Sequence, residues 1–323
     1  MPRKVKVVTT CMGGYRGGSM AANLEYCMNL LDIACKQKPD IICLSENFVT
    51  VGIAGPLKKI AQTVPGPITD ACAKRAKEFR TYVICPLTVK RGGKFFNSAV
   101  IIDRNGQIAG VYDKLHPVTT TDDFTQAERG MTPGSEAKVF NLDFGRVACQ
   151  ICFDLGFAET WQELGKKGAE IVFWPSAYDG GFPLMLFAYL HRYYVVSSVR
   201  TSFSRIVNPL GEVLERTDHR LRVKARTIDL DYIICHCDFH TRKAEDLMND
   251  LGPDVTVRML IEEGFFMAES NRDDLPIANI IKDFGLEPST KYYARHYDLY
   301  KALLAGKKPK PQVTPYKGRE QWA

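Results

Sequence analysis

The chain has 323 residues, of which 45% are hydrophobic and 25% are charged. These values are typical of a globular protein with one large or two ordinary domains. No apolar stretch approaches the roughly 18 residues that a membrane span requires, and the N-terminus has no signal-peptide hydrophobic region. The ten cysteines are scattered without a close-spaced framework, which favours reduced thiols. We therefore expect a cytoplasmic protein that does not bind membranes.

The formal net charge of +6 is concentrated at the C-terminal end. Residues 304–323 contain five basic residues and one acidic residue, so they supply +4 of this charge. The rest of the chain is nearly balanced and lacks the excess of basic residues that is typical of nucleic-acid binding. We therefore predict no nucleic-acid partner, and we predict that residues 305–323 form a basic, flexible tail.

The first half of the chain alternates strand-like and helix-like segments. Amphipathic patterns predict a helix that ends near residue 36 and another over residues 68–79. Apolar runs predict strands at residues 5–9, 41–45, 82–89, 98–103 and 108–112. The pair Asn105-Gly106 between two apolar runs indicates a hairpin. This alternation predicts an α/β layered fold with mixed sheets.

The second half continues the alternation and then changes character. A helix is predicted over residues 157–167, a buried strand over 170–174 and a helix over 184–192. Four more strands are predicted near residues 193–200, 204–208, 212–216 and 225–229. From about residue 240 the pattern is charged and helical, with helices predicted at residues 241–251, 255–268, 275–284 and 292–304. Such a helical appendix buries little surface alone, so we expect it to pack on the core or on a second subunit.

Three chemically active residues follow apolar runs at predicted strand ends. Glu46 follows the strand at 41–45, Lys114 follows the strand at 108–112, and Cys152 ends the apolar run 147–152. Strand ends lead into loops, where substrates reach side chains. A carboxylate, an amine and a thiol can supply a base, a cation and a nucleophile. Taken singly, however, a Cys in an apolar run is more often a core residue.

The segments around these residues resemble the signature segments of the nitrilase superfamily of carbon–nitrogen hydrolases. They read Ser-Glu-Asn-Phe (45–48), Tyr-Asp-Lys-Leu-His-Pro (112–117) and Cys-Phe-Asp-Leu-Gly-Phe-Ala-Glu (152–159). The resemblance covers roughly residues 4–240 and implies a four-layer α-β-β-α sandwich that commonly dimerises. We therefore expect a hydrolase domain at 1–240, a helical extension at 241–304 and a homodimer or higher homo-oligomer.

The resemblance also implies roles for individual residues. Cys152 would be the nucleophile, Glu46 the general base and Lys114 the third member of the triad. The backbone N–H of Phe153 would join Lys114 in stabilising an oxyanion. Glu128 matches the position of a second carboxylate that is usual in this family. No metal and no cofactor are implied by this chemistry.

Two other groups of polar residues have simpler interpretations. A His at the position of His116 is generally structural in this family. The run Cys235-His236-Cys237-Asp238-Phe239-His240 contains zinc-ligand residue types. Alternation along a strand would place its cysteines and its histidines on opposite faces, and its spacing is not that of a structural zinc site. We therefore predict no metal site there.

The residues after the nucleophile indicate the type of bond. Nitrilases proper usually carry Cys-Trp-Glu, whereas Cys152-Phe153-Asp154 resembles the amidase and carbamoylase branches. Carbamoylases often have arginines next, but this chain has Leu155-Gly156, so Arg129, Arg192 or Arg200 would have to bind a substrate carboxylate. Aromatic residues near Tyr178 suggest an apolar pocket for a less polar amide. We name as candidate substrate-binding residues Arg129, Ser176 and Tyr178.

These observations predict a hydrolase that cleaves a linear amide or an N-carbamoyl compound through a covalent intermediate on Cys152. Two alternatives remain open. One is a nitrilase proper, which Cys-Phe-Asp disfavours. The other is a catalytically idle protein that interacts through its C-terminal part, which the intact set of Glu46, Lys114, Glu128 and Cys152 disfavours.

Overall fold

A computed structural model describes residues 3–316 of the chain. In this range there are eight helices: α1 Met20–Cys35, α2 Leu57–Ile60, α3 Pro67–Phe79, α4 Ala158–Lys166, α5 Phe182–His191, α6 Thr241–Leu251, α7 Ile277–Phe284 and α8 Ser289–Leu304. The same range contains fifteen strands: β1 Lys4–Thr10, β2 Ile41–Cys43, β3 Tyr82–Arg91, β4 Lys94–Ile102, β5 Ile108–Asp113, β6 Val139–Asn141, β7 Arg146–Cys149, β8 Ile171–Ser176, β9 Tyr194–Val199, β10 Arg205–Val207, β11 Val213–Arg216, β12 Val223–Asp229, β13 Tyr232–His236, β14 Val255–Leu260 and β15 Phe265–Ser270.

The chain divides into two compact units. Residues 5–228 form the first, and the described residues before and after them form the second. The first unit contains two six-stranded sheets with the strand orders β12-β1-β2-β3-β4-β5 and β11-β10-β9-β8-β7-β6. Each sheet has a parallel centre, β1-β2-β3 in one and β7-β8-β9 in the other. Strands β2, β8 and β9 are buried along their whole length, as expected of parallel strands covered on both faces.

Helices cover the outer face of each sheet, and the inner faces meet. Residues of α1 and α3 share one apolar core with the first sheet, and residues of α4 and α5 share another with the second sheet. Between the sheets the Ser45 hydroxyl donates to the carbonyl of Val199 at 2.8 Å, and the Ser198 hydroxyl donates to the carbonyl of Thr10 at 2.7 Å. The predicted four-layer α-β-β-α sandwich is confirmed.

The second unit combines helices with a small sheet that the sequence did not predict. Helices α6, α7 and α8 lie where helices were predicted, but the helix predicted over residues 255–268 is wrong. These residues form the antiparallel hairpin of β14 and β15, and β15 also pairs with β13. The β-branched run Val255-Thr256-Val257 favours a strand. The hairpin turns at Gly264, whose φ of 72° suits a residue without a Cβ.

The predicted tail is described in part. Tyr316 donates a hydrogen bond to the Glu287 carboxylate at 2.9 Å and stacks on Phe239 with ring centroids 4.4 Å apart. Residues 317–323 lie outside the described residues. The predicted domain boundary at residue 240 stays a prediction. No helix in the described part of the chain has the length and the apolar character needed to span a bilayer.

Gly134 supports the strand end that carries Lys114, and its replacement tests this packing. Its N–H donates to the carbonyl of Lys114 at 2.8 Å, and a Cβ at this position would lie 2.2 Å from the carbonyl oxygen of Asp113. We expect Gly134→Ala to lower the free energy of unfolding by about 1–3 kcal/mol, because neighbouring backbone must move. The matched control is Gly156→Ala, since a Cβ there would meet no atom within 4 Å. Urea denaturation should leave the control within about 0.5 kcal/mol of the parent, and equal losses would contradict this account.

Candidate active site

The two sheets bring Glu46, Lys114 and Cys152 together. Glu46 lies in the loop after β2, Lys114 directly follows β5, and Cys152 opens a 3₁₀ turn three residues after β7. The Lys114 Nζ is 3.3 Å from Glu46 Oε1, and the Cys152 thiol is a hydrogen-bond partner of the Glu46 carboxylate. All three side chains are buried, with exposures of 4%, 1% and 8% in chain order. A carboxylate, an ammonium and a thiol therefore share one small volume.

Lys114 is a buried ammonium held by two carboxylates. Its Nζ donates to Glu128 Oε1 and to Glu46 Oε1. Burial by itself would lower the pKa of Lys114, but the charges of Glu46 and Glu128 outweigh it, so the pKa lies well above its ordinary value. Lys114 is thus a fixed positive charge at every pH at which the protein is studied.

Glu46 is held in its ionised form. Burial alone would raise the pKa of Glu46, but the charges of Lys114 and Arg200 and the hydrogen bond from Asn97 outweigh it, so the pKa is below its ordinary value. The Arg200 Nε donates to the backbone carbonyl of Glu46 at 2.6 Å, and its Nη2 is 3.7 Å from Glu46 Oε2. Near neutral pH this carboxylate is an acceptor for the thiol proton.

Cys152 is a neutral thiol near neutral pH. Burial and the Glu46 carboxylate raise its pKa to about 11, against the opposing effects of Lys114, the Ala177 N–H and the Ser176 hydroxyl. The backbone of Cys152 has a φ of 47°, in the left-handed region, which turns the chain sharply at the nucleophile. Its carbonyl accepts a hydrogen bond from the buried Trp174 indole at 3.0 Å.

Asp154 connects the loop of Lys114 to the turn of Cys152. Its fully buried carboxylate accepts from the Tyr112 hydroxyl at 2.7 Å, the Ile151 N–H at 2.8 Å and the His116 N–H at 2.9 Å. The His116 ring adds a contact from Nδ1 at 2.8 Å and stacks on Phe157. These contacts fix the position of the nucleophile relative to the cation.

The three residues border a cavity of about 400 Å³, a volume typical of small-molecule sites. Its lining is mostly polar and contains Glu46, Asn47, Thr50, Thr88, Asn97, Lys114, Val118, Thr120, Glu128, Arg129, Met131, Cys152, Ala177 and Arg200. Within the described residues no aromatic side chain lines it. Tyr178 packs edge-on against Trp174 at 5.2 Å, and the apolar pocket expected near it stays a prediction.

The other predicted site residues take different positions. Glu128 lies in the cavity wall, where its Oε1 also accepts from the Val118 N–H at 3.1 Å. Arg129 follows it in the wall and donates to the carbonyl of Gly55 at 3.0 Å. Ser176 is fully buried and accepts from the Tyr178 N–H at 3.1 Å, so it contacts the thiol rather than the open cavity. Phe153 has a half-exposed ring, and its N–H is at the start of the 3₁₀ turn, where helical N–H groups have no intrahelical acceptor.

Asn97 and Arg200 complete the site. The Asn97 Nδ2 donates to Glu46 Oε1 at 2.8 Å and to Glu128 Oε2 at 3.1 Å. From the sequence, Arg200 is a candidate only as a carboxylate ligand, and Asn97 is not a candidate. The available signal was the polar pair Asn97-Ser98 between Phe96 and the apolar run 99–102 of β4. In the run 235–240, Cys235 and Cys237 belong to the core of the second unit, and no group of three metal-ligating side chains occurs among residues 3–316.

Comparisons with known proteins agree with this geometry. A family model described as Carbon-nitrogen hydrolase matches residues 9–234. Omega-amidase NIT2 of Danio rerio is 26% identical over 235 residues, which cover 66% of this chain and 84% of the relative. Beta-ureidopropionase of Arabidopsis thaliana is 31% identical over 159 residues, which cover 47% of this chain and 38% of the relative. The crystal structure of Nit3 of Saccharomyces cerevisiae, a member of branch 10 of the nitrilase superfamily, superposes with a TM-score of 0.62 at 17% identity and covers 70% of this chain and 90% of Nit3.

The four-layer fold and the cavity with a buried thiol define a hydrolase with the nitrilase-superfamily architecture. The family model covers more than half of the chain. The chain belongs to the carbon–nitrogen hydrolase family, as the resemblance of its three segments predicted.

The raised pKa of Cys152 can be measured through its reaction with iodoacetamide. We expect the alkylation rate of Cys152 to be low at pH 7 and to rise towards pH 11, since the thiolate is the reactive form. Glu46→Gln should move this rise to lower pH, because a neighbouring negative charge that disfavours the thiolate is removed. Mass spectrometry of Cys152 peptides after timed alkylation measures both profiles, with Cys152→Ser as the blank. If the alkylation rate of Glu46→Gln rose at the same pH as in the parent, or at a higher pH, the electrostatic account would be contradicted.

Proposed function

We propose that the protein hydrolyses the carbon–nitrogen bond of a linear amide or an N-carbamoyl compound through a covalent intermediate on Cys152. The observation that supports this most directly is the burial of Glu46, Lys114 and Cys152 together at a cavity of about 400 Å³. The names of the relatives support the same choice, since they include an omega-amidase and a beta-ureidopropionase.

In the first half-reaction the Cys152 sulfur attacks the substrate carbonyl carbon while Glu46 accepts the thiol proton. Because the pKa of the thiol is high and that of Glu46 is low, proton transfer accompanies C–S bond formation instead of preceding it. Lys114 and the N–H of Phe153 stabilise the oxyanion. Glu46 then gives its proton to the leaving nitrogen, the C–N bond breaks, and ammonia or an amine is released.

In the second half-reaction water replaces the leaving group. Glu46 removes a proton from the water as its oxygen attacks the thioester carbon, and the C–S bond breaks. The proton held by Glu46 returns to the departing sulfur. An amide substrate leaves as a carboxylic acid. An N-carbamoyl substrate leaves as a carbamic acid, which then loses CO2 to give ammonia or an amine. The free thiol and the ionised carboxylate are then restored.

Glu128 acts on Lys114 and not on the substrate carbonyl. Its carboxylate contacts the ammonium directly and is fixed by the Val118 N–H and by Asn97. This arrangement holds the Lys114 Nζ in place while charge moves between Glu46 and the substrate. Glu128 is therefore a positioning residue in this mechanism.

The charges of the cavity favour a substrate that carries an anionic group. Arg129 and Arg200 both line the cavity, and with Lys114 they outnumber the carboxylates of Glu46 and Glu128. Arg200 already contacts Glu46, whereas the guanidinium of Arg129 has one backbone acceptor and an exposed position. We therefore assign Arg129 the carboxylate of a small polar amide or ureide, a role that a guanidinium fork suits.

A panel of substrates tests the proposal. Primary amides, N-carbamoyl amino acids and nitriles, each with and without a carboxylate, are incubated with the parent protein and with Cys152→Ala. We expect the parent to release ammonia from a carboxylated amide or ureide, and Cys152→Ala to fall to the background rate because the nucleophile is absent.

Intact mass spectrometry of the same samples looks for an acyl or carbamoyl adduct on Cys152. Hydrolysis by Cys152→Ala at the parent rate would overturn the covalent mechanism. Release from nitriles alone would identify a nitrilase proper. A parent that is silent on the whole panel and whose Cys152 resists iodoacetamide even towards pH 11 would be an idle interaction protein.

We also propose a cytoplasmic homodimer or higher homo-oligomer. The ten cysteines are free and buried, which suits a reducing compartment, and nitrilase-superfamily enzymes commonly dimerise. Light scattering after size exclusion should give at least twice the chain mass of 36.3 kDa. A monomer mass at micromolar concentration would contradict the oligomer.

A further inference from the structure

Asn97 is the side chain that links the two carboxylates of the site. It lies on β4 with 1% exposure, and one amide nitrogen donates to both Glu46, at 2.8 Å, and Glu128, at 3.1 Å. Both carboxylates also contact Lys114. Glu46 and Glu128 therefore share two partners, the charged Lys114 and the neutral Asn97, and the four side chains form a closed ring.

Folding stability does not explain an amide at this position. Within the described residues the Asn97 Oδ1 is buried and has no hydrogen-bond partner. An unsatisfied buried acceptor destabilises the folded state, and such groups are uncommon in native structures. Next to it, residues 98–102 form a fully buried stretch of the same strand. The donor side of the amide, by contrast, makes hydrogen bonds to both carboxylates of the site.

We propose that Asn97 is a positioning residue for hydrolysis, whose amide N–H groups fix Glu46 and Glu128 around Lys114 and keep Glu46 in its proton-accepting form. This inference deepens the proposed function and depends on the role of Glu46 as the general base. A hydrogen bond to an ionised carboxylate favours ionisation. Without the amide donor, Glu46 would lose this support while the like charge of Glu128 remained on the other side of Lys114.

The other groups around Glu46 set the direction of the effect. Asn97 is the neutral donor among them, and it can be changed without altering the net charge of the site. The titratable and charged groups that act on Glu46 are Lys114, Arg200, Cys152, Tyr178 and, across Lys114, Glu128. Replacing Asn97 should therefore raise the pH at which Glu46 becomes protonated, with the cations still present.

Two variants separate hydrogen-bond donation from space filling. Asn97→Ala removes the donor, and Asn97→Asp keeps the shape but places a third carboxylate against those of Glu46 and Glu128. We expect the acid limb of the kcat/KM profile to move up by about one pH unit in Asn97→Ala and further in Asn97→Asp, because a like charge adds to the lost hydrogen bond. A space-filling role predicts the reverse order, since Asp is the closer match in shape.

Ser98→Ala is the matched control. Ser98 is the next residue of β4, is equally buried and donates to the Asp113 carboxylate at 2.6 Å, but its side chain points to the opposite face of the strand. This variant should leave the acid limb in place. Thermal unfolding of all three variants shows which effects on rate come from loss of folded protein. An acid limb that stays at the parent pH in both Asn97 variants would overturn the inference.

A second readout does not depend on hydrolysis. Carbon-13 NMR titration of glutamate-labelled protein, with Glu46 assigned by its loss in Glu46→Gln, follows the protonation of this carboxylate directly. A raised pKa of Glu46 in the Asn97 variants, with an acid limb that stays at the parent pH, would contradict Glu46 as the general base, on which the inference depends. A lower rate with an unchanged pKa of Glu46 would show that Asn97 has a structural role alone.

Discussion

The buried ammonium of Lys114 is the constraint from which the rest of the site follows. Removing a cation from water costs several kcal/mol unless opposite charges and hydrogen bonds replace the solvent. Glu46 and Glu128 supply the opposite charge. Two carboxylates around one ammonium then leave an excess of negative charge, which the guanidinium of Arg200 offsets, while the neutral amide of Asn97 adds hydrogen bonds to both carboxylates. Each polar group of the site thus compensates the charge or the hydrogen-bonding need of a neighbouring group, and together these groups line the cavity.

The architecture supplies these groups from separate places in the chain. Glu46 and Lys114 follow strands of the first sheet, whereas Cys152 and Arg200 follow strands of the second. The two sheets pack face to face, so their strand ends meet. The distance between the Cys152 thiol and the Glu46 carboxylate therefore depends on how the sheets are joined. Asp154 makes that joint, because its carboxylate binds donors from the loops on both sides. Asp154 therefore sets the position of the loops that carry Lys114 and Cys152, and it matters for the site as much as the Cys152 thiol does.

The sequence revealed the layered fold and the three reactive residues because both leave a local signal. Strand and helix periodicities are local patterns, and a polar residue at the end of an apolar run is visible in the sequence alone. Asn97 gave no comparable signal, because its role exists only when β4 lies beside the loops of Glu46 and Glu128. A polar residue within a strand has many interpretations until its neighbours are known.

One prediction failed for reasons of packing, and another stays a prediction. Aromatic residues near Tyr178 suggested an apolar pocket, whereas Trp174 and Tyr193 are buried in the core beneath the second sheet, where Trp161 also stacks on Phe187 at 4.8 Å. Aromatic content alone does not distinguish a core from a pocket wall. The segment 255–268 was predicted as a helix, whereas two six-residue strands with a turn between them fill almost the same length. The two strands pair with each other, and β15 also pairs with β13, a contact between segments distant in sequence.

The hydrogen bond from Trp174 to the carbonyl of Cys152 has a consequence for the peptide that follows. A peptide group is planar and trans, so its C=O and its N–H point in opposite directions. With the carbonyl turned towards the buried indole, the N–H of Phe153 points away from it. One core side chain therefore sets the rotation of this peptide plane. Because this donor belongs to the main chain, its direction depends on neighbours such as this tryptophan and not on the side chain of Phe153.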